Sequence, residues 1–274
     1  MKLQELNYNL DIMQTTLLSG IEVDKGFLDI FADDFNRMAS TLDANATATI
    51  QERIDRITIL MENASTPVIL PTQGARRYSK RFEDKTINKN VKRLTNYSFR
   101  KIRGDGHCLF RAIGAGILHN CVTNKSQRKQ LKNTFRKYAK DFKPVYEELE
   151  KILNLQKDAT TLLTNSYLNG HFVRLLRHIA AETIKNSDLA AFIEDDKPTD
   201  VYCEQIEAMH PALYGGNLEI QALGKALNLN IEVINVNDRK VKPKNYHRFI
   251  NQQNSPEIHL LFSQAHYDLA LPNK

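Results

Sequence analysis

The chain reads as an α+β protein, with a small β-sheet packed between helical lobes. Three observations predict this. Helical periodicity dominates up to residue 227. Strand-like segments gather after residue 228. The most apolar helix, CLFRAIGAGIL from Cys108, follows directly on a Gly-Asp-Gly turn. With 274 residues, 42% hydrophobic and 26% charged, the chain is long enough for one large domain or two small ones.

Taken in order, Phe27, Ile30, Phe31, Phe35 and Met38 recur at helical spacing, and so do Ile50, Ile54, Ile57 and Leu60. Two paired helices are expected across Asp43–Thr47. STPVILPTQG, at 65–74, breaks the pattern with Pro67, Pro71 and Gly74. Residues 1–64 are thus a helical N-terminal extension, 65–96 a basic connector and 97–274 the main domain. YSFRKI from Tyr97 suits a short edge strand. The helix from Cys108 to about His119 is apolar on nearly every side, so it should be central. Ser126–Leu155 is charged and helical, with a break expected near Pro144. Leu162–Lys185 is helical, with Asn169-Gly170 as a break near its start. A polar turn at 194–200 and a short helix from Val201 follow. Gly215-Gly216 form a turn, 217–227 an amphipathic helix, 229–236 a β-branched strand, and 257–262 and 267–271 two more strands.

No run reaches the roughly 18–20 apolar residues of a membrane span. The first 20 residues carry acids and amides within their apolar pattern, which makes a poor secretory signal. The three cysteines, Cys108, Cys121 and Cys203, suit neither a disulfide framework nor a zinc site. A reducing, cytoplasmic compartment is therefore expected, with no metal and no cofactor. Residues 76–103 hold eleven Lys/Arg against Glu83 and Asp84, a net +9 that leaves the rest of the chain near −3. Such a run is usually a solvated segment, but it could also meet RNA, an anionic membrane or an acidic protein face. No aromatic RNA-binding signature accompanies it, although Tyr78, Phe82, Tyr97 and Phe99 are interleaved.

The chemistry centres on RGDGHCLFRAI, residues 103–113. It sets Cys108 at the first turn of a helix. There, unpaired N–H groups and the positive dipole end favour a thiolate. A thiolate beside free backbone N–H groups is the core of an acyl-transfer site. Such a thiol needs a base, and eight histidines are available. His266, at the start of the last strand, has Asp268 two residues on. In extended backbone the two side chains share a face, so the carboxylate can orient the imidazole. By spacing alone, a structural histidine remains the plain alternative.

GDGHCLFRAI resembles the cysteine loop and helix of the ovarian-tumour (OTU) family of deubiquitinating cysteine proteases. YCEQIEAMHPALYGGNLEIQALGKALNLNIEVI is similar to that family's Trp-Gly-Gly segment and the helix and strand after it. HYDLAL resembles its terminal His-Tyr-Asp strand. The motifs stand in family order over about 97–271. The resemblance implies a papain-like core and a ubiquitin-specific thiol protease. Its nucleophile would be Cys108, its base and then acid His266, and its orienting group Asp268.

Asp105 resembles the family's loop aspartate; it shapes the turn or takes a direct catalytic part. The N–H groups of Gly106, His107 and Cys108 are candidate oxyanion donors. Tyr214, Gly215 and Gly216 would take the substrate tail. The acids Glu194, Asp195 and Asp196 could meet that tail's arginines, with Glu204 and Glu207 as alternatives. Arg111 should pack its stem and pair with a carboxylate. His107 and Tyr214 depart from the family's Asn and Trp.

The expected partner is ubiquitin or its chains, met by a monomer, with peripheral membrane contact open to the basic segment and no nucleic acid. The long helical insertion looks like that of OTU-type virulence effectors from intracellular bacteria, which would act in a host cytosol. The alternatives are an inactive ubiquitin-binding scaffold, or a nucleic-acid or membrane binder acting through 76–103.

Overall fold

A computed structural model describes residues 69–123, 125–209, 213–237, 241–243, 246–251 and 255–273. Before them it describes residues 10, 11, 35, 46–51, 53, 54 and 57. The chain divides into two units, Met1–Val68 and Ile69–Lys274. In the first, Leu10, Phe35, Ile50, Ile54 and Ile57 are buried and Arg53 pairs with Asp11. Ile50, Ile54 and Ile57 lie on helical residues at the expected spacing. The proposed partner helix at 27–38 lies outside the described residues, Phe35 apart.

The second unit is α+β. Its strands are β1 (Gln73–Gly74), β2 (Tyr97–Arg100), β3 (Asn230–Asn235), β4 (His247–Phe249), β5 (Glu257–Ser263) and β6 (His266–Pro272). Its helices are α1 (Ala75–Tyr78), α2 (Lys85–Arg93), α3 (Cys108–Thr123), α4 (Lys125–Arg136), α5 (Lys143–Leu153), α6 (Thr160–Thr164), α7 (Ser166–Lys185), α8 (Thr199–Glu207) and α9 (Asn217–Leu227). One sheet forms in the order β1-β2-β6-β5-β3-β4. Among the described strands only β3 and β5 run parallel, with α9 leading into β3.

Strand alternation divides the sheet's side chains between two layers. Ile234, Leu261 and Ala270 pack with Tyr78, Phe82, Ile87, Val91, Tyr97 and Phe99, so α1 and α2 cover that face. The opposite face, with Ile258, Leu260 and Leu269, meets α3. Helix α3 is buried on all sides because α7 covers its back: Leu109, Phe110, Ala112, Ile113, Ile117 and Leu118 expose 1% or less. Two glycines permit this close approach. A Cβ at Gly114 would stand 2.9 Å from Phe172 Cε1, and one at Gly116 would stand 2.6 Å from Ile258 Cγ2.

The connector expected at 65–96 is corrected by this packing. From Ile69 onward the segment belongs to the sheet-bearing unit. Gln73 pairs with Phe99, and Tyr78 stacks on Phe99 at 5.0 Å between centroids. Its cations obscured an amphipathic pattern: Tyr78, Phe82, Ile87, Val91 and Leu94 point inward while the lysines and arginines between them, Arg81 apart, face water. Strand β2 is accordingly not an edge, since β1 and β6 flank it.

Asn169-Gly170 does not interrupt α7, because Asn165 caps the helix and buried Asn169 bonds to Leu162 O and Arg111. The break near Pro144 is present. One helix ends at Arg136 and the next starts at Lys143, with the proline in its first turn, where no N–H is needed. Strand β4 had no sequence signal beyond three residues.

The Gly116–Ile258 contact gives a direct prediction. Gly116→Ala should lower stability by about 1–2 kcal/mol in urea unfolding, because overpacking outweighs the gain in helix propensity. Unchanged or higher stability would contradict the close α3–β5 approach.

Candidate active site

Charged side chains hold the loop before α3. Gly106 takes φ 84°, a left-handed conformation suited to glycine, and its carbonyl accepts from Arg177 Nη2 at 3.1 Å. On the other side of the same peptide unit, His107 N–H donates to Asp105 Oδ1 at 3.2 Å. Arg111, one turn into α3, pairs with Asp105 and donates through Nε to Asn169 Oδ1 at 2.9 Å. Burial pushes the Asp105 carboxyl up, but the Arg111 guanidinium outweighs it and holds the group below its usual range. Asp105 is thus a brace for the cysteine loop, and it supplies the carboxylate expected for Arg111. Of the three N–H groups expected to meet an oxyanion, that of His107 is engaged by Asp105.

His266 opens β6. Its Nε2 lies 3.1 Å from Asp268 Oδ1, and Cys108 is near enough to act on the charge of the ring. The Nδ1 edge of the ring faces Gly104, where a Cβ would stand 3.5 Å from Nδ1. Burial lowers the imidazole pKa, but hydrogen bonds and charge from Asp268 and Cys108 overcome this and raise it to about 9.

Asp268 exposes no surface. Its Oδ1 accepts from Ile102 N–H at 2.7 Å, and its Oδ2 accepts from Tyr78 Oη and from Arg81 Nη1, the latter at 3.0 Å. Burial pushes this carboxyl up, and the bond to His266 together with the Arg81 charge brings it below its ordinary range. The structure therefore joins His266 to Asp268 and takes Asp105 to Arg111.

A groove of about 430 Å³ opens beside Cys108, lined by Tyr214, Gly215, Gly216, Val233, Phe262 and Tyr267 among others. A Cβ on Gly215 would come within 2.4 Å of Leu109 Cδ2, so the turn lies directly on the start of α3. Gly216 N–H donates to Glu219 Oε2 at 2.6 Å, while Tyr202 Oη donates to Glu219 Oε1 at 2.6 Å. Tyr214 is exposed. Glu194, Asp195 and Asp196 do not line the groove; they stand exposed on the loop before α8, Asp195 and Asp196 at positive φ. Of their alternatives, Glu207 pairs with His178 and Glu204 is exposed.

Sequence reasoning missed Tyr78, Arg81, Asn169, Arg177 and Glu219. Arg177 exposes 0% of its surface and donates to Ile206 O at 2.8 Å, Leu213 O at 3.0 Å and Gly106 O. It also lies 4.4 Å over the Phe110 ring. One side chain thus ties the cysteine loop to the segment entering Tyr214–Gly216. A signal existed: Arg177 is four residues from both Val173 and Ala181, at a core position of an amphipathic helix.

Among the described residues, Glu232, Glu257 and His259 form a group that could hold a metal ion. Arg248 and His259 already engage the Glu232 oxygens, at 2.7 and 2.9 Å, and none of the three lines the groove. No helix among the described residues is long and apolar enough to cross a membrane.

These titrations fix how stability should vary with pH. Asp105 and Asp268 are lowered in the fold. Their contribution is complete above the unfolded value of about 3.9 and is lost as pH falls through their folded values. His266 is raised, so its contribution is complete below about pH 6.5 and disappears as pH rises through about 9. Urea unfolding should show a plateau between about pH 4 and 6.5, with a fall on either side. His266→Gln should flatten the alkaline fall. A wild-type stability that keeps rising across that alkaline range would contradict the His266–Asp268 coupling.

The family model for peptidase C65 otubain matches residues 65–272. The Caenorhabditis elegans protein named "Ubiquitin thioesterase otubain-like" is 25% identical over 267 residues, 87% of this chain and 93% of that protein. The Homo sapiens "Ubiquitin thioesterase OTUB2" is 24% identical over 243 residues, 80% of this chain and 94% of its own length. A solved structure of ceOTUB1 in a ubiquitin aldehyde UBC13~Ub complex superimposes with a TM-score of 0.66 and 25% identity. It covers 79% of this chain and 98% of that one. The h/ceOTUB1–ubiquitin aldehyde–UBC13~Ub structure reaches 0.70 at 23% identity, over 83% and 98%. The matched region takes in the Cys108 loop, the Tyr214–Gly216 turn and the His266–Asp268 strand, and the chain belongs to the peptidase C65 otubain family.

Proposed function

We propose that this otubain-family protein is a thiol-dependent deubiquitinase with Cys108 as nucleophile, His266 as general base and acid, and Asp268 as the orienting carboxylate. One observation supports the residue roles: His266 lies 3.1 Å from Asp268 Oδ1, with Cys108 near enough to raise the imidazole pKa alongside it. With Nε2 committed to Asp268, Nδ1 is the nitrogen left for the thiol.

Cys108 Sγ attacks the carbonyl carbon of the isopeptide bond, and its proton resides on His266. The tetrahedral oxyanion is met by the N–H groups of Gly106 and Cys108, in a loop that Asp105 and Arg177 hold rigid. His266 gives its proton to the departing lysine amine, leaving a thioester. Water, activated by the same imidazole, then releases ubiquitin and restores the thiol.

The groove at Tyr214–Gly216 receives the narrow tail. Gly216 supports this: a Cβ there would meet nothing nearer than Glu219 Oε2 at 3.8 Å, so its bare backbone leaves room for a substrate chain to approach. The exposed Glu194–Asp196 loop would then meet more distant cations of the ubiquitin body. A single chain supplies all three reacting groups, which supports a working monomer, and a free thiol nucleophile suits a reducing cytosol.

The scaffold reading loses ground to the assembled Cys108–His266–Asp268 set. The nucleic-acid reading loses its stacking platform, since Tyr78, Phe82, Tyr97 and Phe99 are all buried. A peripheral membrane contact retains the exposed cations of this segment, among them Arg76, Arg77, Lys80, Lys85, Lys89 and Lys92. The helical insertion gives no support to a bacterial effector, because the otubain match runs straight through it.

Incubation with a ubiquitin C-terminal electrophile should label wild-type protein at Cys108. No adduct, or an undiminished one on Cys108→Ala, would sink the reading. On a panel of diubiquitin linkages, Cys108→Ala and His266→Ala should each cost about four orders of magnitude or more in kcat, and Asp268→Ala about two to four.

A further inference from the structure

We propose that Tyr78 and Arg81 are positioning residues for the His266–Asp268 pair, and that the Arg81 charge helps to set the pH at which His266 gives up its proton. This rests on the cysteine-hydrolase reading above and extends it to a segment outside the three motifs that carried it.

A buried carboxylate that orients an imidazole needs its second oxygen fixed, or it can rotate and withdraw the first. Asp268 Oδ2 is fixed twice, by Tyr78 Oη and by Arg81 Nη1 at 3.0 Å. Arg81 also donates to Tyr78 Oη, and its guanidinium lies 4.9 Å over the Tyr78 ring and 5.0 Å over that of Phe82. Tyr78 is in turn wedged between Phe82 and Phe99. The arrangement favours an arginine over a lysine, because the Nη1 that bonds both oxygens belongs to a planar guanidinium that also stacks on the two rings.

The charged and titratable groups around His266 come from every neighbouring layer. Asp268 lies on its own strand, and Cys108 comes from the start of α3. Beyond Asp268 stand Tyr78 from α1 and Arg81 from the turn after it. A guanidinium and an imidazolium therefore share one carboxylate. Removing the guanidinium leaves that anion to the imidazolium, while Ile102 N–H and Tyr78 still hold it.

The test compares wild type with Arg81→Gln, Arg81→Lys and Tyr78→Phe in the full chain. It reads the His266 imidazole titration by NMR and the cleavage of a fluorogenic ubiquitin C-terminal amide. Arg81→Gln should move the His266 midpoint upward and cut kcat about tenfold to a hundredfold with KM nearly unchanged, since small misplacements cost that much. Tyr78→Phe, which keeps the ring packing, should also lower kcat. Arg81→Lys should restore the midpoint better than it restores kcat. A midpoint that stays put or falls in Arg81→Gln, or a kcat within twofold of wild type, overturns the proposal. The titration needs no substrate. Failure of wild type to cleave would therefore strike the deubiquitinase reading and leave the Asp268 anchoring to be judged by the midpoint alone.

Discussion

Burying an ionised carboxylate is tolerable only when donors satisfy both oxygens, because the desolvation cost is otherwise several kcal/mol. Asp268 meets that condition with four donors drawn from four places: Tyr78 of α1, Arg81 of the following turn, Ile102 after β2, and His266 of its own strand. Much of the architecture follows from this convergence. The N-terminal layer must pack on the sheet for Tyr78 and Arg81 to arrive. Strands β2 and β6 must pair in the observed register for the Ile102 amide to face Oδ1. The carboxylate is therefore a junction between the two sides of the sheet as well as the partner of an imidazole.

The cysteine loop is held by a separate frame. Arg177 pulls the Gly106 carbonyl one way while Asp105 takes the His107 amide the other, so the peptide between them cannot flip without breaking two charged contacts. Arg111 and Asn169 anchor Asp105 to α3 and α7. The thiol therefore sits on the α3–α7 side of the sheet, and the orienting carboxylate is held from the α1–α2 side. His266, at the end of β6, is where the two frames meet.

The three motifs and the late strands were legible because their signals are local. A tight Gly-Asp-Gly turn before an apolar run reads as a loop entering a buried helix, and His266 and Asp268 share a strand face by simple alternation. The bracing residues were not legible, because their partners lie far along the chain. Tyr78 reaches Asp268 across 190 positions, and Arg177 reaches Gly106 across 71. In the sequence, Tyr78 and Arg81 look like part of a solvated basic run. Their amphipathic spacing is present in the sequence, but the eleven cations of the segment mask it. The acidic trio Glu194–Asp196 shows the opposite case: a run of charge names no partner by itself, and the fold puts the three on an exposed loop outside the groove.

The division of labour between the two frames also limits where the protein can change. The thiol and its oxyanion donors hang on α3, whose distance from the sheet is set by Gly116 against Ile258 and whose start is crowded by Gly215 against Leu109. The imidazole hangs on β6, whose end is pinned through Asp268. A shift of α3 relative to β5 would move sulfur away from nitrogen without disturbing either frame internally. Side chains at Gly116 or Gly215 would force such a shift, so these positions constrain the Cys108–His266 geometry as directly as the hydrogen bonds do. The exposed cations of α2 have no such coupling. They lie on the outer side of the layer whose inner side carries Tyr78, so the segment can vary its charge freely as long as that tyrosine and Arg81 keep their places.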